Sequence, residues 1–153
     1  MKIQIENNQT KIKIHLRNVR STVRTLLNIM DCANKEISIS FVDDKTIQQL
    51  NNIYLQKNKP TNVLSFSLQE GEYGNINPDI LGDIIISAET AQRDAAIGNL
   101  SLSEEIVFLI IHGLLHLLGF NHENTTKTQT AKMRMKEKEL FQNIISQLKF
   151  DLV

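Results

Sequence analysis

The chain has no tryptophan, one cysteine and two prolines among its 153 residues. The lone Cys32 excludes an intrachain disulfide and fits a reducing compartment, so a cytoplasmic protein is expected. Its position at the end of an expected helix suggests a small packing residue rather than a chemical one. With two prolines and six glycines the composition is that of an ordinary globular domain, and neither repeats nor low-complexity segments are present. The opening stretch MKIQIENNQTKIKIH has no apolar core of a secretion signal. The longest apolar run, 106–120, is interrupted by His112 and His116 and is shorter than the roughly 20 residues that span a bilayer. No membrane partner is therefore expected. The formal net charge is zero, which argues against a general polyanion binder.

The charge that is present is segregated. Residues 1–59 carry ten Lys/Arg and five Asp/Glu, residues 60–126 carry one and nine, and residues 127–153 carry six and three. A local basic surface beside an acidic or metal-binding region is compatible with this, as are solvated helix faces. The length predicts one domain, residues 1–153, with material for a single core. Alternation predicts strands at 2–6, 37–41, 61–68 and 81–87, while helical spacing predicts helices at 18–31, around 47–54 and from Ser87 to Gly98. Ser101 and Glu104 form a capping-box pattern ahead of a helix that is apolar nearly all round to Leu118, marking it as the buried central helix. A last helix is expected from about 128 to 148. Strands and helices without a strict βαβ repeat imply an α+β domain.

Against this background the segment HGLLHLLGFNH, 112–122, holds three of the chain's four histidines. His112 and His116 are four residues apart, about 400° of helical rotation, which places both rings on one face one turn apart. Gly119 can turn the chain back after the helix, which lets His122 approach the same point. Two imidazoles buried without partners would cost about 1–3 kcal/mol each, so shared ligation of one metal ion is the better reading than two satisfied core histidines. With cysteine absent nearby and three ligands available, one coordination position stays open for water, the pattern of a catalytic rather than a structural metal. The spacing is shared with the metzincin pattern H-E-x-x-H-x-x-G-x-x-H. Here Gly113 stands where those peptidases carry their general-base glutamate, so peptidase chemistry is not supported.

HGLLHLLGFNH also resembles the signature H-G-x-L-H-L-x-G-Y/F-D/N-H of the YbeY family, metal-dependent endoribonucleases of bacterial rRNA maturation. LNNIYLQKNKPTNVLSF is similar to the family's L-N-x-x-Y-R-x-x-x-x-P-T-D-V-L-S-F, LGDIIIS to its L-G-D-I/V-x-I-S, and Met133 with Glu137 to its M-x-x-x-E. The resemblance covers about residues 36 to 140. It implies a mixed sheet packed with helices, with the metal at the end of the central helix. It also implies cleavage of single-stranded RNA, a role at the 3′ end of small-subunit rRNA and in ribosome quality control, and one zinc ion held by His112, His116 and His122.

Two positions depart from the family pattern. Its arginine after the tyrosine is Leu55 here, and its aspartate in P-T-D-V is Asn62. Leucine can neither carry charge nor form a bidentate phosphate contact. Lys57 and Lys59 are the nearby cations that could meet RNA phosphate instead. Asn62 keeps hydrogen-bonding capacity without charge. Asp83 is a candidate to orient a ligand histidine through its other ring nitrogen, or to make a structural bond at a strand end. The expected partners are single-stranded RNA or rRNA and the small ribosomal subunit; DNA is not expected. Two alternatives remain: a ribosome-assembly factor with the metal fold but little nuclease activity, favoured by Leu55, and a zinc peptidase, disfavoured by Gly113.

Overall fold

The computed structural model describes residues 2–68, 79–120, 126–148 and 151–153. They form β1 (Lys2–Asn7), α1 (Leu16–Ile29), β2 (Glu36–Val42), α2 (Asp44–Leu55), β3 (Val63–Ser67), β4 (Ile80–Ser87), α3 (Ala88–Ile97), α4 (Leu102–Leu117) and α5 (Lys127–Gln147). The four strands lie in the order β1-β2-β4-β3; the first three run parallel and β3 is antiparallel to β4. The mixed sheet that the resemblance implies is thus present.

Period-two alternation decides which side chains meet which helices. Ile37, Ile39 and Phe41 of β2 and Ile84 and Ile86 of β4 share one core with buried residues of α1, α3, α4 and α5. On the opposite face α2 lays Ile47 against Val42 and Leu64, with Ile85 and Phe66 at the margin. α4 is the centre of the larger core. Ile106, Val107, Leu109, Ile110, Ile111, Leu114, Leu115 and Leu117 are all buried, on every side of the helix. Its start is fixed by the capping box of Ser101 and Glu104, as the sequence indicated. Its end is released by Gly119 at φ +97°, a conformation that glycine adopts without strain. At the end of α3 the left-handed residue is Asn99, not Gly98.

Gly113 explains itself in this packing. A Cβ placed there would meet three side-chain atoms of the fully buried Ile84 at 3.0–3.1 Å. The central helix therefore lies against β4 through a glycine. Gly113→Ala is expected to destabilise the fold by about 1–3 kcal/mol, the usual cost of overpacking. Urea unfolding of the two proteins measures it. A longer side chain such as the peptidase glutamate has still less room.

Polar contacts fix the ends of the elements that border the cleft described below. Asp43 caps α2 through Thr46 N–H, and Ser87 caps α3 through Thr90 N–H. The Asp44 carboxylate accepts from Ser87 Oγ at 2.6 Å, Thr90 Oγ1 at 2.6 Å and Arg93 at 2.6 Å, so the two helix starts are bolted together. Cys32 is buried, as a packing residue would be.

Candidate metal centre

The last two turns of α4 carry His112 and His116 to the face that looks toward β3. Their Nε2 atoms are 3.1 Å apart. On the far side of the first ring, His112 Nδ1 lies 3.2 Å from Oε1 of Glu137, a residue of α5. That carboxylate is buried; when ionised it can only accept, which favours the His112 tautomer with its proton on Nδ1 and leaves Nε2 on the side of His116. The two Nε2 atoms thus converge on one point. Two nitrogens bound to a tetrahedral ion at 2.0–2.1 Å would stand about 3.3 Å apart, close to the separation of this pair. Phe108, one turn below, stacks near His112 with ring centroids 6.3 Å apart and closes the apolar side of the ring.

His122 lies outside the described residues, as does Glu123. Among the described residues no group of three metal-binding side chains is gathered. The pair formed by His112 and His116 is what the structure shows of the expected triad.

Asp83 does not reach this pair. On β4 Gly82 faces α4, since a Cβ there would meet Leu117 at 3.0 Å, and Ile84 touches Gly113. Asp83, between them, therefore points to the other face, where it is exposed. Asp83, a candidate from sequence to orient a ligand histidine, is not placed to do so, and the carboxylate that contacts His112 is Glu137. The sequence did hold a signal for it. Met133, Glu137, Leu140 and Ile144 form the buried stripe of α5, and a carboxylate in an apolar stripe demands a partner.

The histidine pair opens into a cleft of about 470 Å³ that straddles the edge of β3. One wall is α4, with His112, His116 and Leu117; the other is the end of α2 and its following loop, with Asn51, Leu55, Lys57 and Lys59. Both lysines predicted from sequence are therefore in the same cleft as the histidines. Their loop is held by the buried Asn51, whose Nδ2 donates to Lys59 O at 2.9 Å and whose O accepts from Lys57 N. Between the walls runs β3. Asn62 O accepts from Ser87 N, and Leu68 N donates to Leu81 O. In an antiparallel ladder these two bonds fix the alternation, so the N–H and C=O groups of Val63 and Ser65 point away from β4, toward the cleft. Asn62 is structural: its amide donates to Asp94 Oδ2 at 3.1 Å and ties β3 to α3. An aspartate here would set two carboxylates against each other, a physical reason for the amide.

The family model described as endoribonuclease YbeY matches residues 4–145. An endoribonuclease YbeY of Syntrophus aciditrophicus is 58% identical over 92% of this chain and 88% of that protein. One of Syntrophotalea carbinolica is 46% identical over 93% and 95%. The solution structure of TM1509 from Thermotoga maritima shares the fold, with a TM-score of 0.66 at 22% identity over 95% of this chain and 90% of that one.

Proposed function

The chain belongs to the family of the endoribonuclease YbeY, and from that premise we propose that it is a metal-dependent endoribonuclease that cuts single-stranded RNA. Its place is the cytoplasm, in maturation of the small-subunit rRNA 3′ end and in ribosome quality control on that subunit. The observation that carries the reading is the convergence of His112 and His116 Nε2, backed by Glu137, in a cleft that also holds Lys57 and Lys59. One zinc ion held by His112, His116 and His122 would supply a Lewis acid and a water activated at neutral pH.

The chain's own groups divide the remaining work. Glu137 keeps the proton on His112 Nδ1 and so keeps Nε2 available as a ligand. Lys57 and Lys59 draw the phosphate backbone into the cleft, and the outward N–H and C=O of Ser65 offer hydrogen bonds to a strand lying along β3. Asn51 holds the lysine loop in place. Gly113, pressed on Ile84, leaves the peptidase base without a position, which sets the zinc-peptidase reading aside.

Leu55 favours a second reading, an assembly factor of weak nuclease activity. It lines the cleft at the last residue of α2 and is 47% exposed, so a longer side chain fits there. Leu55→Arg is expected to raise the cleavage rate about tenfold or more, below the ~10³-fold and greater gains of arginine fingers. Lys57→Ala and Lys59→Ala are expected to weaken RNA binding and each to reduce the slope of log K against log salt by about 0.7. A cleavage time course and a salt titration on these three variants check both. Purified protein tested on single-stranded RNA and on a peptide, with and without chelator, tests the proposal as a whole. Chelator-sensitive RNA cleavage supports it; chelator-sensitive peptide cleavage alone, or neither activity, contradicts it.

A further inference from the structure

The last turn of α2 leaves Ile53, Tyr54 and Leu55 at 65%, 58% and 47% exposed, and Leu55 lines the cleft. Large apolar side chains left exposed beside a cleft mark a place that meets something. The aromatic member is not loosely held. Tyr54 leans on Phe66, with ring centroids 5.2 Å apart and planes at 59°. Phe66 is itself part of the cleft wall, together with Leu55, the two lysines and the two histidines. The chain turns at Gln56, in the left-handed conformation, so Lys57 and Lys59 follow directly after the ring.

We propose that Tyr54, braced by Phe66, is a stacking platform for one nucleobase of a single-stranded RNA whose phosphates are held by Lys57 and Lys59. The inference rests on the RNA-cleaving reading and adds a base contact to it. Its warrant is the pairing of the two lysines in the cleft with an exposed ring that leans on the cleft wall. Cations track a phosphate backbone, and a neighbouring exposed aromatic ring gives the attached base a face to stack on. A protein surface would cover the apolar residues equally well, but it would not account for the two lysines in the same cleft. Because every base has a π-face, the platform separates base from no base more than one base from another.

The chain has two tyrosines and no tryptophan, which makes the test direct. In a Tyr73→Phe variant Tyr54 is the only tyrosine, and its emission reports on that ring. With chelator present to prevent cleavage, a single-stranded oligoribonucleotide quenches this emission with the same midpoint as the anisotropy of the labelled strand. An abasic strand of equal length binds more weakly and does not quench. Tyr54→Ala weakens binding about 5- to 100-fold while leaving the salt slope unchanged, and Tyr54→Phe retains most of the affinity. RNA that binds without quenching Tyr54, or that binds Tyr54→Ala as tightly as the parent, overturns the platform and leaves the nuclease reading standing. Failure of every form to bind RNA, with zinc and without it, overturns both.

Discussion

Replacing His116 with alanine is expected to abolish RNA cleavage, a loss of at least about 10³-fold, because the nucleophile then has no metal to activate it at neutral pH. The same loss is expected for His112→Ala. The two variants differ in a second respect. His112→Ala also removes the bond to the buried Glu137 and adds a cost of about 1–3 kcal/mol in stability. His116→Ala leaves the His112–Glu137 contact in place and is the cleaner test. Melting with and without zinc supplies a readout apart from activity. Zinc at 100 times its dissociation constant stabilises a protein that binds it by about 2.7 kcal/mol, and the melting temperature of the parent rises accordingly. That rise is expected to vanish in both variants. A His116→Ala protein that still gains stability from zinc and still cleaves RNA would remove the histidine pair from the mechanism.

Glu137→Gln is expected to lower zinc affinity or activity by about 10- to 100-fold, the range typical of residues that orient a ligand histidine from behind. The amide can still accept the Nδ1 proton through its oxygen, but it lacks the charge that raises the basicity of Nε2. Glu137→Leu removes the acceptor as well. It frees the His112 tautomer and is expected to fall further in zinc affinity while the fold, whose α5 stripe is otherwise apolar, is retained. Competition with a chromogenic chelator gives the affinities. Equal zinc affinity in parent, Gln and Leu forms would show that Glu137 contacts His112 without tuning it.

Much of the fold was legible from local pattern alone. The capping box at Ser101, the alternation of Ile37, Ile39 and Phe41 and the all-round apolar α4 each depend on neighbours in sequence, and each is where the pattern placed it. The i, i+4 pairing of His112 and His116 is equally local. What escaped was tertiary. Asp83 and Glu137 are both carboxylates near the motif in the chain's logic, but only the pleat of β4 shows that Asp83 points away, and only the packing of α5 on α4 brings Glu137 to His112. The role of Gly113 was read from chemistry as a missing base, while its physical cause is the close packing of α4 on Ile84 of β4. Asn62 looked like a departure from pattern until Asp94 was found opposite it. His122, the third residue of the motif, lies outside the described residues, and its expected part as a ligand rests on the motif.

The central claim is that one metal ion at the His112–His116 pair governs RNA cleavage. Its most direct test is a reconstitution titration. The protein is stripped with chelator, zinc is added back in measured fractions, and bound metal per chain and the rate of single-stranded RNA cleavage are recorded on the same samples. The account predicts no cleavage in the stripped protein and a rate that rises with bound zinc and saturates at one ion per chain. Cleavage that persists in the stripped protein, or that is indifferent to the metal bound, would contradict it.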